Sequence, residues 1–376
     1  MASEIGVGLI GYGAIGRLHA LCYRTLPLAY PDLPLMPRLV AVATASPASA
    51  ERARRELGEL AVTTSFEQLL DNPSVALVDC CAPTGDHARM ATAALLAGRA
   101  LFCEKPLTAS LEDSERIVAL AQARSLAGGI NFHFRWIPAL QEARRLIDSG
   151  LLGDVLGFHM RYYRSSNLRR DRPATWRFTG AGSGVLVDLG AHLIDMTLHL
   201  LGPITAVAAH TRTLVEQRPG ADGRLIPITS DDAAWLQIEL AGGGRGTLAV
   251  SKLVPGAADD LRIEAYGSNG SLTFDTRDPN SLIVAEGAGV TPGGRSIATF
   301  SRTTPPATLP SAETPTATLQ WHLASLEAFV RSLGGGAAQP NLQPDLQAGL
   351  AVDRVLVAAA QSVARAGGLV QIAMEN

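Results

Sequence analysis

Asp188, His192 and Asp195 lie four and three residues apart within the run GAGSGVLVDLGAHLID, residues 180–195. That spacing predicts one shared face of a helix. An imidazole titrates near neutral pH, so His192 is a candidate general base, and Asp188 one turn earlier could bind a hydroxyl or orient the ring. Lys105, in the tripeptide Glu104-Lys105-Pro106, could hydrogen-bond an oxygen and stabilise alkoxide charge as it develops. Asp195 and His199 read as structural partners. A metal held by His192, Asp195 and His199 is possible by spacing, but proton transfer through lysine and histidine requires none, and no metal is expected.

A second signature concerns phosphate. Gly11-Tyr12-Gly13-Ala14-Ile15-Gly16 follows an apolar strand and opens a helix. In that setting Gly11 permits the tight turn, Gly13 lets the backbone approach a diphosphate, and Gly16 lets helix pack on strand. The first-turn amides, including those of Ala14 and Ile15, would face the phosphates. A dinucleotide is therefore expected. The acid that commonly binds the ribose hydroxyls at the end of the second strand is replaced by Thr44-Ala45-Ser46. Arg52 and Arg54 follow one or two helical turns on, so both NAD and NADP remain open, with NAD favoured.

These residues need elements to hold them. Up to about residue 132, short apolar runs (5–10, 39–44, 76–80, 100–102, 127–132) alternate with helical stretches (14–25, 48–57, 86–97, 111–124). Alternation of that length predicts βαβ units and a doubly wound parallel sheet, an α/β Rossmann domain over residues 1–135. The carboxyl ends of its strands would carry the glycine turn, the segment Cys81-Ala82-Pro83-Thr84-Gly85-Asp86-His87 and Glu104-Lys105 to one crevice. Four prolines between Pro27 and Pro37 predict a stiff surface loop in the first crossover. From 136 to 343 a helix (139–149), a strand (155–164), a helix (184–201) and consecutive strand-like runs (204–213, 233–240, 246–253, 261–266, 271–274, 282–284) predict an α+β domain with a large, mostly antiparallel open sheet. Residues 286–315 read as a long excursion. Helices near 316–332 and 344–366 close the chain, the last expected to pack back on the Rossmann domain. Asn131, His133 and Arg135 fall where the first domain ends, and Asn131 and Arg135 are candidate substrate contacts. A charge among the aromatics of Phe132–Trp136 needs a polar partner, either substrate or protein.

Composition excludes other classes. The 376 residues carry a net charge of −3 with dispersed Lys and Arg, which argues against nucleic acid. No apolar run reaches the length of a membrane helix. Met1-Ala2-Ser3-Glu4 does not resemble a secretory leader, and Cys22, Cys80, Cys81 and Cys103 have no zinc-like spacing, so a cytoplasmic protein with reduced thiols is expected.

Taken in order, the glycine turn, the Pro-Thr-x-x-His segment, Glu-Lys-Pro and the Gly-x-Gly-x-x-x-Asp-x-Gly-x-His-x-x-Asp run resemble the glucose–fructose oxidoreductase / inositol dehydrogenase (Gfo/Idh/MocA) family along essentially the whole chain. The resemblance implies that Lys105, Asp188 and His192 form a catalytic triad and that Trp176-Arg177, Pro83, Thr84, His87 and Glu104 lie near the cofactor. It implies reversible hydride transfer between NAD(P) and the secondary hydroxyl carbon of a sugar, cyclitol or sugar derivative, a small polyhydroxylated substrate. It further implies a homodimer or homotetramer built through the second-domain sheet. Two alternatives stand beside it: an NAD-dependent glycosidase acting by transient oxidation, and a non-catalytic dinucleotide-binding sensor.

Overall fold

A computed structural model describes residues 3–287, 293–299, 318–335 and 342–373. Its first unit is built on a six-stranded, wholly parallel sheet: β1 (Ser3–Ile10), β2 (Leu35–Ala43), β3 (Ala61–Thr63), β4 (Leu77–Cys80), β5 (Ala100–Cys103) and β6 (Gly128–Ile130). Their spatial order is β3-β2-β1-β4-β5-β6, the doubly wound order whose ligand crevice lies beyond the strand carboxyl ends. The connecting helices are α1 (Ala14–Ala29), α2 (Pro47–Leu57), α3 (Phe66–Leu70), α4 (Thr84–Leu96) and α5 (Leu111–Ala123). β3 and α3 were not expected: three and five residues are too short to show a period.

The expected surface loop after Pro27 is corrected. α1 continues through Pro27 to Ala29, and Tyr30 and Leu33 just beyond it are core residues, each 2% exposed. Cys22, Tyr23, Leu26, Ala29, Tyr30 and Leu33 keep a three-or-four-residue spacing and form one apolar stripe. Leu323, Leu326, Phe329 and Val330 belong to the same core cluster. Burial of that stripe outweighs the one backbone hydrogen bond that a proline forfeits.

The second unit holds a nine-stranded sheet in the order β16-β15-β14-β13-β7-β12-β11-β8-β17. Its strands are β7 (Val155–Tyr163), β8 (Ile204–Arg212), β11 (Ala233–Leu240), β12 (Arg245–Ser251), β13 (Asp260–Gly267), β14 (Gly270–Asp275), β15 (Ser281–Glu286), β16 (Arg295–Ala298) and β17 (Val370–Gln371), with a separate hairpin of β9 (Gln217–Pro219) and β10 (Leu225–Pro227). Among the described residues only β7 and β12 pair in parallel in this sheet; the other neighbours are antiparallel. Alternation is clean. Phe158, Met160, Leu248, Val250, Leu261, Ile263, Leu272 and Phe274 are buried on one face, and α6 (Pro138–Asp148) and α7 (Ala191–Leu201) pack in this unit. β16 lies inside the expected excursion; residues 288–292 and 300–317 are outside the described ones.

By packing, the chain up to Trp136 joins α8 (Thr318–Leu333) and the residues to Leu350, while Ile137 onward and the residues from Ala351 form the second unit. The start of α9 (Leu346–Ala364) thus counts with the first unit and its remainder with the second. Among the described residues no helix is long and apolar enough to cross a membrane.

Candidate active site

The turn from β1 into α1 leaves room where a ligand needs it. Gly11 takes φ +94°, and a Cβ there would stand 2.6 Å from the Cys81 carbonyl oxygen. A Cβ on Gly16 would stand 2.0 Å from the Gly11 carbonyl oxygen, so any other residue would force the helix off the turn. Around Gly13 the reverse holds: nothing lies within 4 Å of where its Cβ would be. Gly13 and Ala14 are exposed, and no side chain caps the start of α1, so the first-turn amides retain hydrogen-bonding capacity at the positive end of the helix. This cradle fits a dinucleotide diphosphate. Glu56 of α2 braces it, accepting from the Tyr12 hydroxyl at 3.0 Å and the Arg17 guanidinium at 2.9 Å.

At the end of β2, Thr44 is buried and its hydroxyl donates to the Ser46 carbonyl at 3.1 Å. The Ser46 hydroxyl caps α2 by accepting from the Ser49 amide. Arg54 donates to the Val62 carbonyl at 2.9 Å. Threonine and serine thus serve the local fold at the place where an acid would bind the ribose hydroxyls.

β4 and β5 carry the next two motifs, and a buried histidine ties them together. His87 faces the Ala82 carbonyl with Nε2 at 2.9 Å and the Pro106 carbonyl with Nδ1 at 3.0 Å. It clasps the Pro83-Thr84 segment, which opens α4, to the Glu104-Lys105-Pro106 turn. Lys105 is half-buried, and its backbone N–H donates to Glu104 Oε2 at 3.3 Å. Glu104 points inward: its Oε1 accepts from Asn131 Nδ2 at 2.5 Å and lies 3.4 Å from His19 Nε2. His19 sits on α1 with Nδ1 2.8 Å from Asp79 Oδ2, while Asn131 Nδ2 also reaches His322 Nδ1 on α8 at 3.0 Å. The His133 ring stacks on His322 with centroids 4.0 Å apart. Asn131 and Arg135, candidate substrate contacts, are both buried in this unit.

Protons in this cluster can be assigned from its geometry. Asp79 fixes one on His19 Nδ1, and Glu104 beside Nε2 calls for a second, making His19 an imidazolium between two carboxylates. Burial opposes that charge, but the charge and hydrogen bond of Asp79, aided by Glu104, overcome it and lift the His19 pKa to about 10. Burial likewise opposes ionisation of Glu104, yet the hydrogen bond and charge of His19 hold its carboxyl well below the usual carboxylate range. His322 stays neutral: burial first, and then the charge on His19, push its pKa down to about 3.

Asp188 and His192 belong to the second unit. The expected single α-helix from 184 to 201 begins instead as a π turn, Leu186–Gly190, and becomes α7 at Ala191. Asp231 drives that start, with one carboxylate oxygen accepting from the amides of Val185 (2.9 Å) and Leu186 (2.7 Å). Asp188 lies inside this π turn, with its own N–H on the Gly184 carbonyl at 3.0 Å, and π turns are frequent at functional sites. Asp188 is gripped by cations: the Lys252 ammonium contacts Oδ2, and Arg177 Nε lies 3.6 Å away. The Arg177 guanidinium also covers the Trp176 ring, 4.2 Å from its centroid. His192 is buried with its ring edge-on to Tyr162, and Asp195 and His199 are buried on the same helix.

Residues 5–132 match the family described as "Oxidoreductase family, NAD-binding Rossmann fold", and residues 140–273 match the GFO/IDH/MocA C-terminal domain. The chain belongs to the Gfo/Idh/MocA oxidoreductase family. It is similar to levoglucosan dehydrogenase of Pseudarthrobacter phenanthrenivorans, 31% identical over 297 residues that cover 75% of this chain and 76% of that protein. It is also similar to scyllo-inositol 2-dehydrogenase (NAD(+)) of Bacillus subtilis, 28% identical over 277 residues, covering 73% and 75% of the two chains. A solved levoglucosan dehydrogenase in complex with NADH and levoglucosan aligns at TM-score 0.90 and 27% identity over 99% of this chain and 100% of that one. Like the family, this chain is an NAD(P)-dependent oxidoreductase.

Within the Gfo/Idh/MocA frame, sequence motifs overlooked His19, Asp79, His322 and Lys252. Among the described residues three side-chain groups have metal-like spacing, His19/Glu104/His322, His19/Asp79/Cys81 and Cys80/His87/Cys103, with ligand atoms within 4.8 Å of one another. Their donor sets do not suit a metal. His19 and the two carboxylates already satisfy one another, and both His87 nitrogens face backbone carbonyls.

Proposed function

We propose that this chain oxidises a secondary hydroxyl of a cyclic, polyhydroxylated substrate, with Lys105, Asp188 and His192 as its catalytic residues. The observation that carries the reading is Asp188 held on a π turn by Lys252 and Arg177, one step before His192. A carboxylate fixed by two cations is suited to accept hydrogen bonds from a substrate hydroxyl, leaving His192 to take the reacting proton. Lys105 donates to the same oxygen and stabilises it as the proton leaves. The dinucleotide, when bound, supplies the carbon that accepts the hydride. Gly13 and the first-turn amides of α1 hold its diphosphate.

NAD is favoured over NADP because Thr44, Ser46 and Arg54 are engaged with the local fold, so that none of them supplies a committed phosphate contact. The substrate class follows the likeness to levoglucosan and inositol dehydrogenases: an anhydrosugar first, then cyclitols and aldoses. Incubation of purified protein with levoglucosan, inositols and aldoses should give reduced cofactor, read at 340 nm, with NAD more readily than with NADP. Failure of both cofactors to bind at micromolar concentration would overturn the reading. Glycoside cleavage without accumulation of reduced cofactor would shift it to transient oxidation.

The open face of the nine-stranded sheet carries Trp235, Tyr266 and Ile283, 48%, 45% and 50% exposed. They stand among charged and polar neighbours on that face, Arg161, Arg262, Glu264 and Asp275; a mixed surface of this kind suits a second copy of the chain in a homodimer or homotetramer. Light scattering should give a mass above one chain, and Trp235→Glu should lower it. The four free thiols suit a cytoplasmic setting.

A further inference from the structure

The sequence contains two lysines, Lys105 and Lys252, among 32 lysines and arginines. Wherever this chain needs an ordinary cation it uses arginine. Arg218 shows how far this goes: fully buried, it pins the Asn167 and Arg169 carbonyls at 2.8 and 2.7 Å with its guanidinium over Phe178. An ammonium differs from a guanidinium in being a compact point charge with three freely rotating donors. One of the two is the lysine of Glu-Lys-Pro. The other follows β12, is 7% exposed, and meets Asp188.

The backbone fixes where that ammonium starts from. The Lys252 N–H donates to the Asp232 carbonyl at 3.1 Å, and its carbonyl accepts from the Asn167 N–H at 3.0 Å. Asn167 Nδ2 donates to Asp232 Oδ1 at 3.0 Å, and Asp232 Oδ2 accepts from the amides of Leu214 and Val215. Lys252 therefore rises from a polar junction tied on both sides, and its side chain ends on the π turn.

We propose that Lys252 is a positioning residue for the reaction: its buried ammonium sets the Asp188 carboxylate in the orientation that binds the substrate. The proposal rests on the reading that Asp188 touches substrate. Arg177 lies farther from Asp188, its side chain is more exposed, and it is shared with the Trp176 ring, so it does not duplicate this role. Removing Lys252 would leave a partly buried carboxylate free to swing toward Arg177, a misplacement of the size that costs about 10²-fold in rate.

Two measurements separate this role from the function it serves. With lysine labelled at 13Cε the protein gives two side-chain signals, and Lys252→Met identifies one of them. Asp188→Asn should move that signal. If it does not, the pair does not exist in solution and the proposal falls, whatever the activity. In kinetics Lys252→Met should lower kcat/KM about 10²-fold while NADH affinity stays near wild type. Lys252→Ala should regain rate with added ethylammonium but not with guanidinium, a response that a purely structural lysine would not give. Full activity in Lys252→Met, or no response to ethylammonium, would overturn the positioning role. If Lys252→Met fails to fold, Lys252→Arg takes its place, and the proposal expects it to remain impaired; wild-type rates in Lys252→Arg would refute the need for an ammonium. A wild type inert toward every polyol would overturn the functional reading and this role with it, though not the pair seen by resonance.

Discussion

Lys105→Met should lower kcat for polyol oxidation by about 10³-fold, while NADH still binds with near wild-type affinity. Two effects of comparable size, about 10²-fold or more each, meet at this residue: hydrogen-bond donation to an oxygen gaining negative charge, and support for removal of its proton by a base. Methionine preserves much of the length and apolar stem but donates nothing. The turn itself does not depend on the ammonium for its anchors, since the Lys105 N–H is held by Glu104 and the Pro106 carbonyl by His87. The glycine cradle is separate and depends on Gly11, Gly13 and Gly16. Steady-state rates and a fluorescence titration with NADH decide the matter together. A variant that keeps more than a tenth of kcat would show that Lys105 does not touch the reacting oxygen. Loss of NADH binding along with kcat would move the lysine from the chemistry to the cofactor or the fold.

Motifs in this chain were legible where the chemistry is local in sequence. Gly11 to Gly16 could be read because strand, turn and helix are contiguous, and the structure gives Gly11 and Gly16 a steric reason while leaving open space at Gly13. Glu104-Lys105 and the 180–195 run could be read for the same reason. What escaped is what the fold brings together from afar. His19 meets Asp79 across 60 residues and approaches His322 across 303, and no spacing rule reaches that far. Lys252 and Asp188 are 64 residues apart on a strand end and a helix start. The π turn was hidden because its cause, Asp231, lies over 40 residues downstream of the amides it accepts from. Pro27 misled in the opposite way. The proline carries a local cost in the helix, but the six-residue apolar stripe through it, visible at helical spacing, is the larger quantity.

That buried His19 cluster sets the second large expectation, a stability optimum near pH 6.5 with loss on both sides. On the alkaline side the sign follows from His19, raised from 6.5 to about 10 in the folded chain. Between those values the folded form holds one proton more than the unfolded form, so stability falls as pH rises. On the acid side His322 is lowered from 6.5 to about 3, so the unfolded form takes up a proton that the folded form refuses. Stability therefore falls as pH drops from 6.5, and the depressed Glu104 adds to the loss below about 4.5, its ordinary value. Other groups titrate as well. Cys22, pushed up to about 12 first by burial and then by the charge of Asp79, steepens the alkaline limb beyond pH 9. The cluster's own share is isolated by difference: thermal melts across pH 5 to 9.5 should show on the order of several degrees lost on each side for wild type. His19→Gln should flatten the alkaline limb and His322→Gln the acid one, each at a lower melting temperature at the optimum. An alkaline limb of equal slope in wild type and His19→Gln would mean that no imidazolium sits between Asp79 and Glu104. The carboxylate that anchors Lys105 would then be held by Asn131 alone, whose amide must point its nitrogen at Glu104 because a carbonyl oxygen at 2.5 Å would be repelled.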